Sequence, residues 1–153
     1  GHEVRVAMTA QALDFVGSVT FAGLTGRPVI LSSTQIDADG SPPHIAAARW
    51  AQVYVVAPAT ADLLARLALG AAADPVALLA LTCRCPLLVC PAMNDAMWLA
   101  PAVQQNVAAL RQRGVELLGP VTGHLAEGYD AIGRMVEPEA IAARAVALAG
   151  AHR

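Results

Sequence analysis

The residues best suited to chemistry lie in one octet that follows a short apolar run. The octet, Pro91 to Trp98, reads PAMNDAMW, and the run before it, residues 86–90, begins with a proline and leads into another. Such a run is typical of a buried strand. Because ligands of open α/β sheets bind beyond the carboxyl ends of the strands, the Asn94 amide lies where a ligand would bind. The alternative is a plain helix start, with Asn94 as N-cap and Met97 and Trp98 packed inward.

A second candidate is His44, which follows two prolines and opens a predicted helix. Taken by itself, a lone histidine is more often structural than catalytic. A third candidate is the turn from Thr60 to Asp62 at a predicted strand-to-helix junction. Its hydroxyl and backbone N–H groups suit a phosphate or a polar ring edge, and the alternative is an ordinary N-cap with Asp62 in the first helical turn.

The octet resembles the PxMNxxMW signature of the flavin-dependent cysteine decarboxylases. Four more segments resemble motifs of that family, in the same order along the chain. They are Thr9–Phe15 for T-x-x-A-x-x-F, residues 44–51 for HIxLxRWAD, residues 57–62 for the APATAD flavin loop, and residues 133–138 for the G-R-M-x-E-P end of the substrate-covering loop. Gln52 stands where the second motif usually carries an acid. Since the motifs run over essentially the whole chain, it is identified as a member of this family.

The resemblance implies an FMN cofactor and a role for each matched residue. His44 would handle a proton as the substrate thiol is oxidised, and Asn94 would hold the substrate carboxylate. An amide can do so without neutralising the carboxylate, whereas a tight pair with Arg would stabilise the ground state and oppose loss of CO2. The residues implied for the cofactor are Thr9, Phe15, Thr60, Ala61, Asp62 and Ala92. Those implied for the substrate, beside Asn94, are Arg49, Met97, His124, Leu125, Ala126 and Met135.

Two of these assignments have alternatives of equal standing in the sequence. The Phe15 ring could stack on a flavin or fill the core. Arg49 lies five residues after His44, so the two do not share one helical face. Arg49 could reach a substrate phosphate or a neighbouring subunit, or form a surface salt bridge.

The covering loop departs from the family at Glu127. Enzymes of the coenzyme A branch read LACG there, and the cysteine is the acid that lets the flavin electrons return to the product. This chain reads Leu125-Ala126-Glu127-Gly128. A carboxyl buried in an apolar loop could still deliver a proton, so we include Glu127 among the catalytic residues.

The function implied is FMN-dependent decarboxylation of 4′-phosphopantothenoylcysteine to 4′-phosphopantetheine in coenzyme A biosynthesis. One alternative is an oxidative decarboxylase that acts on a peptide's C-terminal cysteine, which the absent loop thiol favours. A second alternative is a non-catalytic regulatory subunit with an FMN fold. The presence of both His44 and Asn94 argues against it, because a binding module needs neither.

The elements that must position these residues alternate between strand and helix. Alternation predicts a doubly wound parallel sheet, a Rossmann-like flavoprotein fold. Predicted strands are 4–8, 28–31, 53–56, 86–90 and 115–118; predicted helices are 10–16, 18–25, 44–50, 58–69, 74–82, 101–113 and 138–150. The segments 32–43 and 119–138 are predicted loops. The opening Gly1 resembles a helix end before a strand, so we expect the first βα unit to be missing from this sequence.

Composition bounds the remaining expectations. Residues 1–153 have the length of one domain. An apolar fraction of 56% with only 14% charged residues predicts a homo-oligomer, and the resemblance implies a trimer or a multiple of one. With a net charge of -2 and no basic cluster we expect no nucleic-acid partner, and no apolar run is long enough for a membrane helix. The three cysteines lack a fourth ligand of the usual zinc pattern, so we expect no metal site. Their odd number, with no signal-peptide pattern, predicts a protein of the reducing cytoplasm.

Overall fold

A three-stranded parallel sheet lies at the centre of the larger part of the molecule. Its strands are β1 (Tyr54–Ala59), β2 (Leu87–Pro91) and β3 (Glu116–Leu117), in the order β1-β2-β3. The computed structural model describes residues 1–37 and 39–151, and its contacts divide into two compact units. The first unit is Gly1–Trp50 with Ala72–Arg84, and the second is Ala51–Ala71 with Cys85–Arg153.

The middle strand is buried from Leu88 to Pro91, as expected for a parallel strand covered on both faces. Leu88, Val89 and Cys90 are all 0% exposed. Leu88 and Cys90 pack with Val136 and Ile141 from the last part of the chain. Burial raises the pKa of the Cys90 thiol to about 11, so the side chain is a protonated, small hydrophobe, as predicted.

The predicted strand 53–56 is present, but β1 continues through Pro58 to Ala59. Proline ends a strand in most sequence patterns because it has no N–H to donate. Here the register shifts between Val56 and Ala59, and Ala59 pairs with Pro91. The shift lets the strand pass Pro58 without losing its pairing to β2.

Helices of the second unit flank this sheet. They are α3 (Ala61–Leu69), α5 (Asp95–Leu99), α6 (Pro101–Gln112) and α7 (Pro138–Ala151). Gly70 ends α3 with φ of 72°, a conformation that favours glycine. Arg144 of α7 forms an ion pair with Glu116 of β3, which lowers the pKa of the Glu116 carboxyl. The predicted helices 101–113 and 138–150 thus agree with α6 and α7, whereas the helix predicted within 58–69 begins only at Ala61, because Pro58 and Ala59 belong to β1.

The predicted loop 119–138 is wrong. It contains an antiparallel hairpin of β4 (Val121–His124) and β5 (Asp130–Arg134). The pattern concealed the strands because three of the four β4 residues are exposed, so no apolar alternation marks them.

The first unit holds α1 (Ser18–Thr25), α2 (Pro43–Trp50) and α4 (Pro75–Thr82). The predicted helix 10–16 is one 3-10 turn over Gln11–Asp14. The predicted strands 4–8 and 28–31 reduce to a single parallel bridge between Ala7 and Ile30. Among the described residues, no helix is long and apolar enough to cross a membrane.

Candidate active site

The two site segments predicted from the sequence follow the same ends of neighbouring strands. Because β1 and β2 are parallel and paired, Thr60 and Asn94 both lie beyond their carboxyl ends. The Ala92 N–H donates to the Ala59 carbonyl at 3.0 Å, which carries the pairing one residue past β2. Ala92 is half-buried there.

The Asn94 amide is both a helix cap and a member of a polar cluster. Its Oδ1 accepts from the Ala96 N–H at 2.9 Å, as an N-cap of α5 does. Its Nδ2 donates to Glu127 Oε1 at 2.9 Å and to Tyr129 Oη at 3.1 Å. The N-cap alternative is therefore confirmed at Oδ1, while Nδ2 is directed to other side chains and its role toward a ligand stays a prediction.

Tyr129 and Asp95 complete the cluster, and the sequence interpretation missed both. The Tyr129 hydroxyl donates to Asp95 Oδ1 at 2.7 Å, and this bond raises the pKa of Tyr129. Asp95 is only the first residue of a short helix in the sequence pattern. The available signal was Tyr129 itself, an aromatic hydroxyl two residues after a predicted site residue and one of just two tyrosines.

The hairpin reaches Asn94 through a close backbone contact at Gly133. The Met93 N–H donates to the Gly133 carbonyl at 3.0 Å. A Cβ on Gly133 would lie 2.1 Å from the Met93 carbonyl oxygen, and φ at this position is 146°. Only glycine fits such an approach, which explains physically why the G-R-M segment begins with it.

Glu127 is exposed, so the expectation of a carboxyl buried in an apolar loop is wrong. The buried member of the turn is its neighbour Leu125, at 7% exposure, whose N–H donates to the Tyr129 carbonyl at 2.9 Å. Ala126 is exposed. The apolar side chain of the turn points inward and the acidic one outward, where it meets Asn94.

The remaining predicted substrate residues of this unit differ in exposure. Met97 is 48% exposed on α5 and does not pack inward. His124 is exposed, and its Nδ1 lies 3.1 Å from Asp130 Oδ1. Met135 packs against the buried cluster around Leu88. In the described part of the chain, the Asn94 amide forms no hydrogen bond with Met97, His124 or Met135.

The polar side chains of the predicted flavin loop show local contacts. Thr60 Oγ1 accepts from the Leu63 N–H at 3.3 Å and caps α3. Asp62 forms an ion pair with Arg66 at 2.7 Å, one helical turn on. Ala61 is the first residue of α3 and half-buried. The ordinary capping interpretation holds here, and the role toward flavin stays a prediction.

Four predicted site residues belong to the first unit. Thr9 Oγ1 accepts from the Ala12 N–H at 3.2 Å and starts the 3-10 turn. Phe15 is 87% exposed, so the core-filling alternative is wrong and its ring face is open for stacking. Arg49 is exposed and makes no ion pair with the described residues, against the salt-bridge alternative.

His44 is the most informative residue of the first unit. Its Nδ1 is buried and has no hydrogen-bond partner among residues 1–37 and 39–151. A buried nitrogen without a partner costs free energy unless a ligand supplies one. Together with the open Phe15 ring, this unpaired nitrogen fits a planar, polar-edged cofactor or its substrate.

Comparison with known proteins gives a consistent result. The family model described as Flavoprotein matches residues 1–150. The coenzyme A biosynthesis bifunctional protein CoaBC of Mycobacterium tuberculosis is 47% identical over 152 residues, 99% of this chain. The chain spans only 36% of the length of that relative.

Two solved structures resemble nearly the whole chain. The FMN-dependent cysteine decarboxylase SpaF has a TM-score of 0.82 and 33% identity, with 97% of this chain and 81% of SpaF covered. A PPC decarboxylase C175S mutant complexed with pantothenoylaminoethenethiol has a TM-score of 0.81 and 28% identity, with 93% of this chain and 80% of that chain covered. The predicted family and the Rossmann-like flavoprotein fold are confirmed: the chain belongs to the flavoproteins and, among them, to the FMN-dependent cysteine decarboxylases.

Proposed function

We propose that this chain is an FMN-dependent carboxy-lyase that converts 4′-phosphopantothenoylcysteine to 4′-phosphopantetheine in coenzyme A biosynthesis. The substrate assignment rests on the 47% identity to the CoaBC protein of Mycobacterium tuberculosis over nearly the whole chain. The solved relative that holds pantothenoylaminoethenethiol supports the same class of ligand. The proposal concerns the decarboxylation alone, since this chain spans about a third of that bifunctional relative.

The residues divide the work of binding and proton transfer. FMN, when bound, supplies two-electron oxidation of the substrate thiol, which prepares the neighbouring carboxylate to leave as CO2. The unpaired His44 Nδ1 is the group that we assign to proton handling at the thiol. The Asn94 Nδ2 is assigned to the substrate carboxylate, which it can hold without neutralising. Thr60, Ala61, Asp62 and Ala92, beyond the ends of β1 and β2, are assigned to the cofactor along with Thr9 and Phe15.

Glu127 is assigned as the loop acid in place of the usual cysteine. Its carboxyl lies within hydrogen-bond distance of the assigned carboxylate-binding amide, so it is near the product carbon that needs a proton. FMN, when bound and reduced, would supply the hydride that together with this proton would convert the enethiol product to the saturated thiol. The other substrate contacts assigned are Arg49, Met97, His124, Leu125, Ala126 and Met135.

A second candidate function is oxidative decarboxylation of a peptide's C-terminal cysteine. It is favoured by the carboxyl at position 127 and by the likeness to SpaF. The first test measures CO2 release from 4′-phosphopantothenoylcysteine and from a peptide with C-terminal cysteine, using FMN-loaded protein. Release from the peptide alone would overturn the first proposal.

Anaerobic product analysis then separates the two fates of the electrons. A complete reaction gives saturated product over many turnovers, and Glu127→Gln stalls it at an enethiol two hydrogens lighter. A single turnover of that lighter product by the wild type would show that Glu127 does not supply the proton needed for the electrons to return to the product. Oxygen would then be needed to regenerate the oxidised cofactor.

The assembly and location predicted above also stand as proposals. A trimer, or a multiple of one, is supported by exposed apolar side chains such as Phe15, Val19 and Leu24, which are at least 79% exposed in the single chain. Light scattering that finds a stable monomer at micromolar concentration would contradict the trimer. We propose a cytoplasmic location because the relatives are bacterial coenzyme A biosynthesis proteins.

A further inference from the structure

We propose that the Glu127 carboxylate is an internal occupant of the carboxylate-binding amide of Asn94, and that the substrate carboxylate must displace it to bind. The inference rests on the proposed function, because that function assigns the Asn94 amide to the substrate. It adds that the Glu127 carboxylate and a ligand carboxylate compete for the Asn94 amide, and that this competition sets the affinity for carboxylate-bearing ligands.

Counting hydrogen-bond groups on Asn94 leads to this inference. An asparagine amide has two N–H donors and one carbonyl acceptor. The carbonyl accepts from the Ala96 N–H at 2.9 Å, and the two donors are directed to Glu127 Oε1 at 2.9 Å and Tyr129 Oη at 3.1 Å. No donor is left, so a ligand carboxylate gains one only by displacing a present acceptor.

The two acceptors differ in how firmly they are held. Tyr129 is held by a second hydrogen bond, because its hydroxyl also donates to Asp95 Oδ1 at 2.7 Å. Among residues 1–37 and 39–151, the Glu127 side chain has one hydrogen bond, to Asn94, and it is exposed on the turn between β4 and β5. Rotation of the Glu127 side chain into solvent frees one donor without moving Tyr129.

The chemistry of the occupant matches that of the incoming group. Glu127 presents a carboxylate oxygen to Asn94 Nδ2 as an acceptor, which is what a substrate carboxylate would present. The two carboxylates repel one another at short distance, so both cannot share the amide. The exchange is one carboxylate for another, with Tyr129 retaining the second N–H and holding the amide in orientation.

The experiment measures binding, not turnover, in FMN-loaded protein. The probes are the serine analogue of 4′-phosphopantothenoylcysteine, which has the carboxylate but no thiol to oxidise, and the matching ethanolamine analogue without the carboxylate. Calorimetry gives Kd for both with wild type, Glu127→Ala, Glu127→Gln and the control Glu139→Ala. Glu139 lies exposed in the first turn of α7, so the control removes an equal charge with no contact to Asn94.

The exchange predicts that Glu127→Ala tightens the serine analogue by about fivefold, or about 1 kcal/mol, and changes the ethanolamine analogue by less than about twofold. Glu127→Gln keeps an amide oxygen that Asn94 can still bind, so its gain should be smaller than that of alanine. Glu139→Ala should change neither ligand.

Four results would overturn the exchange. Equal tightening of both analogues by Glu127→Ala would show that the effect does not depend on the ligand carboxylate. Equal gains in affinity from Glu127→Gln and Glu127→Ala would show that loss of the charge, and not loss of the hydrogen bond to Asn94, causes the tightening. If both analogues bind and Glu127→Ala leaves their ratio unchanged, the exchange fails while the proposed function stands. If neither analogue binds to any variant, the proposed substrate class and the exchange fail together.

Discussion

The ends of β1 and β2 are built alike but connected differently. Each strand ends in a polar N-cap that starts a helix, Thr60 for α3 and Asn94 for α5. The side-chain polar contacts shown for Thr60 and Asp62 at the β1 end are local, since Thr60 binds Leu63 and Asp62 pairs with Arg66. At the β2 end Asn94 also binds Glu127 and Tyr129, which are 33 and 35 positions away.

This difference shows what turns a helix cap into a candidate site. A cap satisfies its own helix with one acceptor atom, and threonine then keeps a single O–H donor on that same atom. Asparagine keeps two N–H donors on its Nδ2, and these can bind side chains of another element that packs beside it. That element is the hairpin β4–β5, which packs beside Asn94 because Gly133 permits a close backbone approach to Met93.

Changing Asn94 to Asp should have the largest effect on turnover. Aspartate caps α5 equally well, so the fold should survive. Its charge would oppose the substrate carboxylate, and at about 4 Å with an effective dielectric near 20 the repulsion is roughly 4 kcal/mol, or about three decades in rate. Measured kcat for CO2 release checks this. Asn106→Asp on α6 makes the same charge change outside the cluster and should keep near-normal turnover, and near-normal release by the Asn94 variant would contradict the assigned role.

Gly133→Ala should undo the docking of the hairpin. The added Cβ would clash with the Met93 carbonyl at 2.1 Å, and we expect the free energy of unfolding to fall by about 3 kcal/mol. Gly128→Ala is the matched control, because φ is 89° there but nothing lies within 4 Å. Its cost should be about 1 kcal/mol, from backbone strain alone. Urea unfolding measures both, and equal costs would show that the close contact does not hold the hairpin.

Thr60→Ala tests whether the β1 end is only a cap. Losing the hydroxyl that accepts from Leu63 should lower the free energy of unfolding by about 1 kcal/mol, and Thr60→Ser should restore most of it. FMN titration of the same variants adds the test of the cofactor role. If alanine lowers FMN affinity more than it lowers stability, the β1 end also binds the cofactor and the contrast with β2 weakens.

Titration of Tyr129 should give the smallest effect. Its bond to Asp95 raises its pKa, so the phenol should ionise above pH 10, the ordinary value. Since the folded state holds this proton more tightly, the stabilisation is complete below pH 10 and is lost as pH rises through the higher folded value. Absorbance at alkaline pH, compared with Tyr129→Phe to remove the signal of Tyr54, gives the midpoint. Ionisation at or below pH 10 would mean that the contact with Asp95 does not persist in solution.

The sequence by itself determined the elements whose causes are local. The apolar run before Pro91 predicts a doubly buried strand, and Leu88 to Cys90 are indeed fully buried. Capping residues and the glycine after Leu69 mark α3, because N-caps and left-handed C-caps act within a few residues. The order of the motifs was enough to identify the family, which the comparisons confirm.

Only the tertiary structure decided which side chains surround Asn94. Tyr129 and Glu127 reach it because a hairpin folds back over the end of β2, and its strands carry no apolar alternation by which to find them. The same holds for the exposure of Glu127, since Leu125 rather than its acidic neighbour points inward. A local sequence pattern shows how a segment satisfies its own backbone hydrogen bonds. A site made of segments more than thirty positions apart depends instead on which segments pack together.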